Sequence, residues 1–360
     1  MTPLSATDAI TPAWQHTRRL LLGPRDPRLF FKIAAVAFFA EVLSGSFSFS
    51  PPLHNGHPTG GGPSPAILAT ILSIIFICAA VGLLIGLVFF YLSSRLQFTI
   101  FHVVLRSETT VAPIWRRYGP ATWRWMGLKI LFFLGAFAVL APILIPGIFY
   151  LIHAITLQSH GDNSHIVGFV LTGFSFALLL MLTVFALAVA TILLRDFGLP
   201  SMALEGTSLR ETVRRVVALS RAEPGQVGLY LLLRFCLAMA GAFTAEFVLG
   251  ALVLVLGAPL GGVGFGLWAT LHTAGAGARA GMIGGWVILG LALVAALAIA
   301  LIALFGYLFT FLQAYAIFFL GGRYPLLGQL LVEPPAPVPG AQAPQAWSPG
   351  FYTPPTEGAR

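Results

Sequence analysis

The sequence predicts an all-α, polytopic helical bundle built for a membrane. Three observations predict it. Of 360 residues, 58% are hydrophobic and only 9% are charged, against roughly a quarter charged in an ordinary soluble domain. The apolar residues gather into runs of the ~20 residues that a bilayer-crossing helix needs. The runs are also continuous, whereas the strands of a membrane barrel alternate in polarity. The pattern predicts about six transmembrane helices in three outward hairpins, with cytoplasmic interfacial amphipathic helices between them.

Residues 1–28 form an N-terminal cytoplasmic segment. Trp14, Leu20, Leu21, Arg18 and Arg19 predict a short interfacial helix before Gly23-Pro24. The first span, about Leu29–Phe49, reads as a retained signal anchor because no small-residue cleavage pattern follows it. The loop SPPLHNGHPTGGGPSP has no Lys or Arg. The second span, about Ala66–Leu92, contains Gly82-x-x-x-Gly86, a close-approach motif expected to pack within the bundle, as are Ala292, Ala296 and Ala300 later on. A charged island, Arg95 to Trp125, follows. Its Phe98, Phe101 and Leu105 fall at helical spacing, so this face is expected to rest on the membrane, with Trp115, Trp123 and Trp125 as interfacial anchors. The third span, about Met126–Ile155, holds Pro142 and Pro146, which predict a kinked or unwound outer half. The fourth is about Ile166–Leu194, the fifth about Val227–Leu256. A Gly-rich connector, Gly257–Gly285, precedes the sixth, which starts near Trp286. The six-span domain therefore covers 29–332, and a Pro-rich, extended tail covers 333–360.

The most informative stretch is the second island, Arg195 to Gln226. Ser208 and Glu211 read as a capping box. Leu209, Val213, Val216, Val217 and Ser220 recur on one helical face, and Arg210, Arg214 and Arg221 on the other. Glu211 and Arg215 form a favourable i,i+4 pair, and Pro224-Gly225 ends the helix. A basic amphipathic helix between two spans belongs in the plane of the membrane surface. Arg210, Arg214, Arg215 and Arg221 are its candidate anionic-lipid-facing residues.

The net charge is +8. In a soluble chain that would suggest nucleic acid; beside apolar runs it reports topology, and no nucleic-acid partner is expected. Arginines gather before span one and in the second and fourth connectors. The positive-inside rule then places both termini and both islands in the cytoplasm, most simply of a bacterial inner membrane. Arg95 and Arg195 stand at like places after spans two and four, which fits a repeat of hairpins and equally fits the plain preference of inward span ends for arginine.

The run Arg195-Asp196-Phe197, Pro200, Met202, a basic helix ending at Pro224-Gly225, and the opening DPRLFFKIAAVAFFAEV resemble a broad group of bacterial multi-pass proteins. That group contains the membrane domain found beside some glycerophosphodiester phosphodiesterases, and integral membrane families of unknown function. The resemblance implies a fold. It carries no catalytic residue across, because the soluble phosphodiesterase domain has no counterpart here.

Charges inside spans are the usual pointers to function in membrane proteins. Glu41, Arg234 and Glu246 are the intramembrane polar candidates. Glu41 and Glu246 could face each other across spans one and five, while Arg234 could snorkel to the inner surface. His54, His57, His160, Asp162 and His165 fall in outward loops and are weak candidates for a zinc or copper site, with solvated loop residues as the plainer reading. Cys78 and Cys236 lie in apolar runs and read as small hydrophobes. There is no nucleophile elbow, no His-Glu-x-x-His and no phosphate loop. The expectation is a non-enzymatic integral membrane protein without a cofactor, a scaffold, assembly factor or organiser of lipid and membrane-protein partners. A small-molecule or lipid transporter using Glu41, Glu246 and the proline break is the alternative, and a membrane enzyme with an extracytoplasmic metal site the second alternative.

Overall fold

A computed structural model describes residues 3–23, 26–45, 65–107, 111–159, 166–271 and 276–331. Among the described residues there is no strand, and the chain is an all-α polytopic bundle. In order the helices are α1 (Ile10–Leu22), α2 (Pro27–Gly45), α3 (Pro65–Arg106), α4 (Val111–Arg117), α5 (Gly119–Ser159) and α6 (Ile166–Leu193). A single π turn, Leu194–Gly198, leads into α7 (Leu199–Glu205), α8 (Leu209–Ala222), α9 (Pro224–Leu271), α10 (Ala276–Gly321) and α11 (Pro325–Leu331).

Five helices among the described residues are long and apolar enough to cross a membrane: α3, α5, α6 with its continuation, α9 and α10. α3 has 42 residues, which is about 63 Å of helix, twice the ~30 Å hydrocarbon core. The long helices use that length in two ways. One part of each presents apolar side chains outward, Phe76 being 74% and Phe247 78% exposed, as only lipid can cover. The other part enters a packed head.

α2, the expected first span, is not among the five. It has 19 residues and carries Arg28, Lys32 and Glu41. It packs on α3 and α10 where both are buried: the Ser93 hydroxyl donates to the Ala40 carbonyl at 3.2 Å, and Gly306 lets α10 meet the Ala34 backbone. Ser93 lies 28 residues past Pro65 on α3, or about 42 Å along it, and Gly45 is only about 8 Å from Ala40. Gly45 and Pro65 therefore lie about 34 Å apart along the α3 axis.

The head is aromatic. Phe98 stacks on Tyr118 with centroids 5.4 Å apart, and the Trp125 indole N–H donates to the Gln97 side-chain oxygen at 2.8 Å. Tyr230 stacks between Tyr315 at 5.0 Å and Phe319 at 4.5 Å. α1 lies against α10, burying Ala13, Thr17, Leu20 and Leu21, with Trp14 edge-on to Tyr307 and Phe311. Arg323, at the end of α10, ties the N-terminal segment and the α8–α9 corner together by donating to the Leu4 carbonyl and the Glu223 carboxylate, each at 2.8 Å.

Several expectations are corrected here. Phe98, Phe101 and Leu105 do not rest on the membrane; they are core residues, because α3 continues into the head and is covered on all sides. Of the three anchoring tryptophans, Trp123 is exposed, Trp125 is buried, and Trp115 lies under the Arg95 guanidinium. Gly82 and Gly86 meet no neighbouring atom, and Ala292 and Ala296 are exposed, so these small-residue stripes are not where the bundle packs. α5 is helical through Pro142 and Pro146, so its outer half is not unwound. α9 continues through most of the Gly-rich connector to Leu271. The tail from residue 333 lies outside the described residues.

Candidate functional site

The polar centre of the molecule is the π turn, and the sequence explains why it is there. Pro200 has no N–H to give to the Asp196 carbonyl, and its ring would collide with that carbonyl in a regular helix. The preceding turn, Leu194–Gly198, widens to π geometry instead, and α-type bonding resumes where the Leu199 N–H donates to the Arg195 carbonyl. π turns are rare and concentrate at functional sites. This one swings Arg195 and Asp196 inward, at the place where the apolar layer gives way to the head.

Arg195 forms an ion pair with Glu41 of α2, both side chains being 17% exposed. Asp196 is fully buried. Its Oδ2 accepts from the Tyr230 hydroxyl at 2.8 Å and lies 2.6 Å from Nη1 of Arg234. The same Arg234 nitrogen donates to the Tyr230 oxygen at 3.1 Å. Lys129 of α5 donates to the Ser94 hydroxyl at 3.1 Å and lies over the faces of Phe90 and Trp125. Arg195 and Glu41 are within its electrostatic reach. Three cations thus face two carboxylates. Among the described residues, Arg195 Nε and Asp196 Oδ1 are buried polar atoms without a hydrogen-bond partner, and two such atoms on adjacent residues are unusual in a folded protein.

The second feature is α8, which crosses the head end of α5 and α6. Ser208 caps it, accepting from the Glu211 N–H at 3.4 Å. The predicted apolar face divides in two. Val216, with Thr212, is buried against the π turn, where the Thr212 methyl comes within 3.0 Å of a Cβ built on Gly198. Val213 and Val217 instead stay 40% and 41% exposed, on the same side as Arg210, Arg214 and Arg221. Two adjoining hollows of ≈ 670 Å³ each lie between this side of α8 and the flanks of α5 and α6.

Arg215 leaves the lipid-facing set. Its guanidinium is held by Glu211 at 3.0 Å and Glu205 at 2.5 Å, which hold it protonated above the usual arginine range. Glu205 also accepts from the Tyr324 phenol at 2.5 Å. Burial, and then that bond, push the phenol above its ordinary value. This network fastens α7 to α8 and to the end of α10.

The intramembrane candidates separate. Glu41 is engaged by Arg195, and Glu246 is on an exposed face of α9, so the structure does not bring these two carboxylates together. Arg234 does not snorkel; it is buried in the head with Asp196. Tyr230 and Lys129 were not singled out in the sequence, and Asp196 entered only as part of the Arg195-Asp196-Phe197 run that carries the resemblance. The available signal was a charge within or beside an apolar run, with Pro200 four residues after Asp196. His54, His57, His160, Asp162 and His165 lie outside the described residues, as does the loop that holds the last three. Among the described residues, no group of three metal-ligating side chains converges.

These features define a class: an integral membrane helical bundle with a packed, arginine-rich head. Residues 4–330 match a family of unknown function, DUF7544, and the chain belongs to that family. No curated protein and no solved structure matches it.

Proposed function

We propose that the protein is a non-catalytic component of a bacterial cytoplasmic membrane whose head lies on the inner surface and organises anionic lipid around it. The supporting observation is the division of labour among the α8 arginines. Arg215 is consumed by internal carboxylates. Arg210, Arg214 and Arg221 point away from the core beside exposed valines, and Arg214 is 81% exposed with only a 4.0 Å approach to Glu211. A face that mixes apolar side chains and arginine suits the boundary between acyl chains and phosphates. Each such arginine contributes about 1 kcal/mol at an anionic surface. Arginine sidedness supports an inward position for this face.

The test is the composition of lipid extracted with the protein in polymer-bounded native discs. Anionic lipid is expected to be enriched over bulk membrane for the natural chain. The enrichment is expected to vanish when Arg210, Arg214 and Arg221 are all replaced by Gln. Equal enrichment in both proteins would count against the reading.

A further inference from the structure

We propose that the groove between α5, α6 and α8 seats one anionic phospholipid, with an acyl chain in the groove and its headgroup against the arginine row Arg210, Arg214 and Arg221. This rests on the lipid-facing reading of α8 and narrows it from a surface to a single site.

The groove has the polarity of such a molecule. Along α5 it runs from Leu128 to Val139, facing Leu187 and Ala190 of α6. Eleven residues of helix span about 16 Å, close to half of the ~30 Å hydrocarbon core, which is the depth of one leaflet's chains. Gly135 lies midway, and a Cβ there would meet nothing within 4 Å, so α5 leaves room where the chain would pass. Ser220 is the polar uncharged side chain in the lining, and its hydroxyl donates to the Val216 carbonyl at 2.9 Å. Apart from Arg221 at its head end, the slot therefore offers no free polar group to a hydrocarbon chain. Its volume, ≈ 670 Å³, is within the ~300–1,000 Å³ of small-molecule sites.

The other end is cationic. The adjoining hollow takes in Arg210, Arg214 and Arg221 beside Leu128 and Val213. Positions 210, 214 and 221 fall within about 40° of one another around a helix with 3.6 residues per turn. The three arginines form a row along about 16 Å of α8 that borders the end of the apolar slot, at the level where a phospholipid carries its phosphodiester. Arginine suits this task because its planar donors can chelate two phosphate oxygens. A partner helix would need an apolar face on both sides of the groove mouth, and one side is arginine.

The experiment is native mass spectrometry of the full chain released from discs holding equal phosphatidylglycerol and phosphatidylcholine. One phosphatidylglycerol is expected to remain bound after most lipid has been stripped. Gly135→Leu with Ala190→Leu fills the slot without touching charge. It is expected to abolish that adduct while leaving the salt-sensitive enrichment of anionic lipid in native discs. Replacing each arginine by Gln is expected to weaken retention about fivefold. In parallel, phosphatidylglycerol bearing a photoreactive acyl chain, added to the unaltered protein, is expected to label α5 and α6 around 132–139 and 187–193. Retention of the adduct by the filled variant, or labelling spread evenly over α3, α9 and α10, would mean ordinary surrounding lipid only and would overturn the site while leaving the surface reading intact. Loss of all anionic preference only in the arginine variants, with no discrete adduct in the natural chain, would do the same. No anionic preference in any protein would overturn both.

Discussion

Arg234 of α9 and Asp196 of the π turn come within 2.6 Å of each other, and Tyr230, one helical turn before Arg234, donates to the same carboxylate oxygen at 2.8 Å. The pair is 38 positions apart in the chain, and it joins α6 to α9 where the head begins. Neither charge reaches water, so each depends on the other.

Breaking this pair from one side is expected to be severe. Arg234→Leu leaves a buried carboxylate, and removal of one partner of a buried pair costs about 3–5 kcal/mol. Replacing both, Asp196→Leu with Arg234→Met, is expected to recover most of that loss, since a well-packed apolar pair replaces two desolvated charges. Thermal unfolding in detergent, followed by size-exclusion recovery, measures both. A double variant no better than the single would show that the charges do more than neutralise one another.

The Arg195–Glu41 pair is less buried and links α2 to the π turn. A double-mutant cycle with Arg195→Gln and Glu41→Gln is expected to give a coupling of about 1–3 kcal/mol. Additive single effects would mean that α2 is held by its apolar contacts alone.

Close helix approach makes Gly306 and Gly241 unequal. A Cβ at Gly306 would fall 2.3 Å from the Ala34 carbonyl oxygen, part of a rigid backbone, whereas one at Gly241 would meet the Leu308 side chain, which can turn aside. Gly306→Ala is expected to cost at least about 1–3 kcal/mol by forcing α2 from α10, and Gly241→Ala clearly less. Equal thermal shifts for the two would argue against that contact between α2 and α10.

The cap of α8 is modest. Ser208→Ala is expected to destabilise by about 0.5–1 kcal/mol, at the low end for N-caps, because the hydrogen bond is 3.4 Å long. Hydrogen exchange in the first turn of α8 is expected to speed up, with the π turn little changed. Faster exchange throughout the head would show that α8 holds the whole assembly.

Local features were legible in the sequence, and lateral ones were not. The Ser208 cap, the Glu211–Arg215 pair and the ends of α8 depend on neighbours within five positions, and spacing reveals them. Periodicity also showed that Phe98, Phe101 and Leu105 share a face. It could not show what covers that face, because the cover comes from Tyr118 and Trp125 beyond the next turn and from α2 and α10, which are remote in sequence. The five long apolar helices followed from composition alone, while the lesser length and higher charge of α2 hid its docking against α3 and α10. Arg195 was read as a topology marker, since nothing near it in sequence announces Glu41, 154 positions earlier. Arg215 carries the same charge as Arg214 one residue away. Only the turn of the helix, toward Glu205, removes it from the surface set.

The central claim is that the arginine-rich head lies inside and the apolar helices pass outward through the bilayer. Cysteine accessibility tests it most directly. With Cys78 and Cys236 changed to Ser, a single cysteine is placed at Arg116, exposed on the head, or at Ser159, the far end of α5. A membrane-impermeant thiol reagent is expected to label position 159 in intact cells, and position 116 only after the membrane is opened. Labelling of position 116 in intact cells, with 159 protected until the membrane is opened, would contradict the claim.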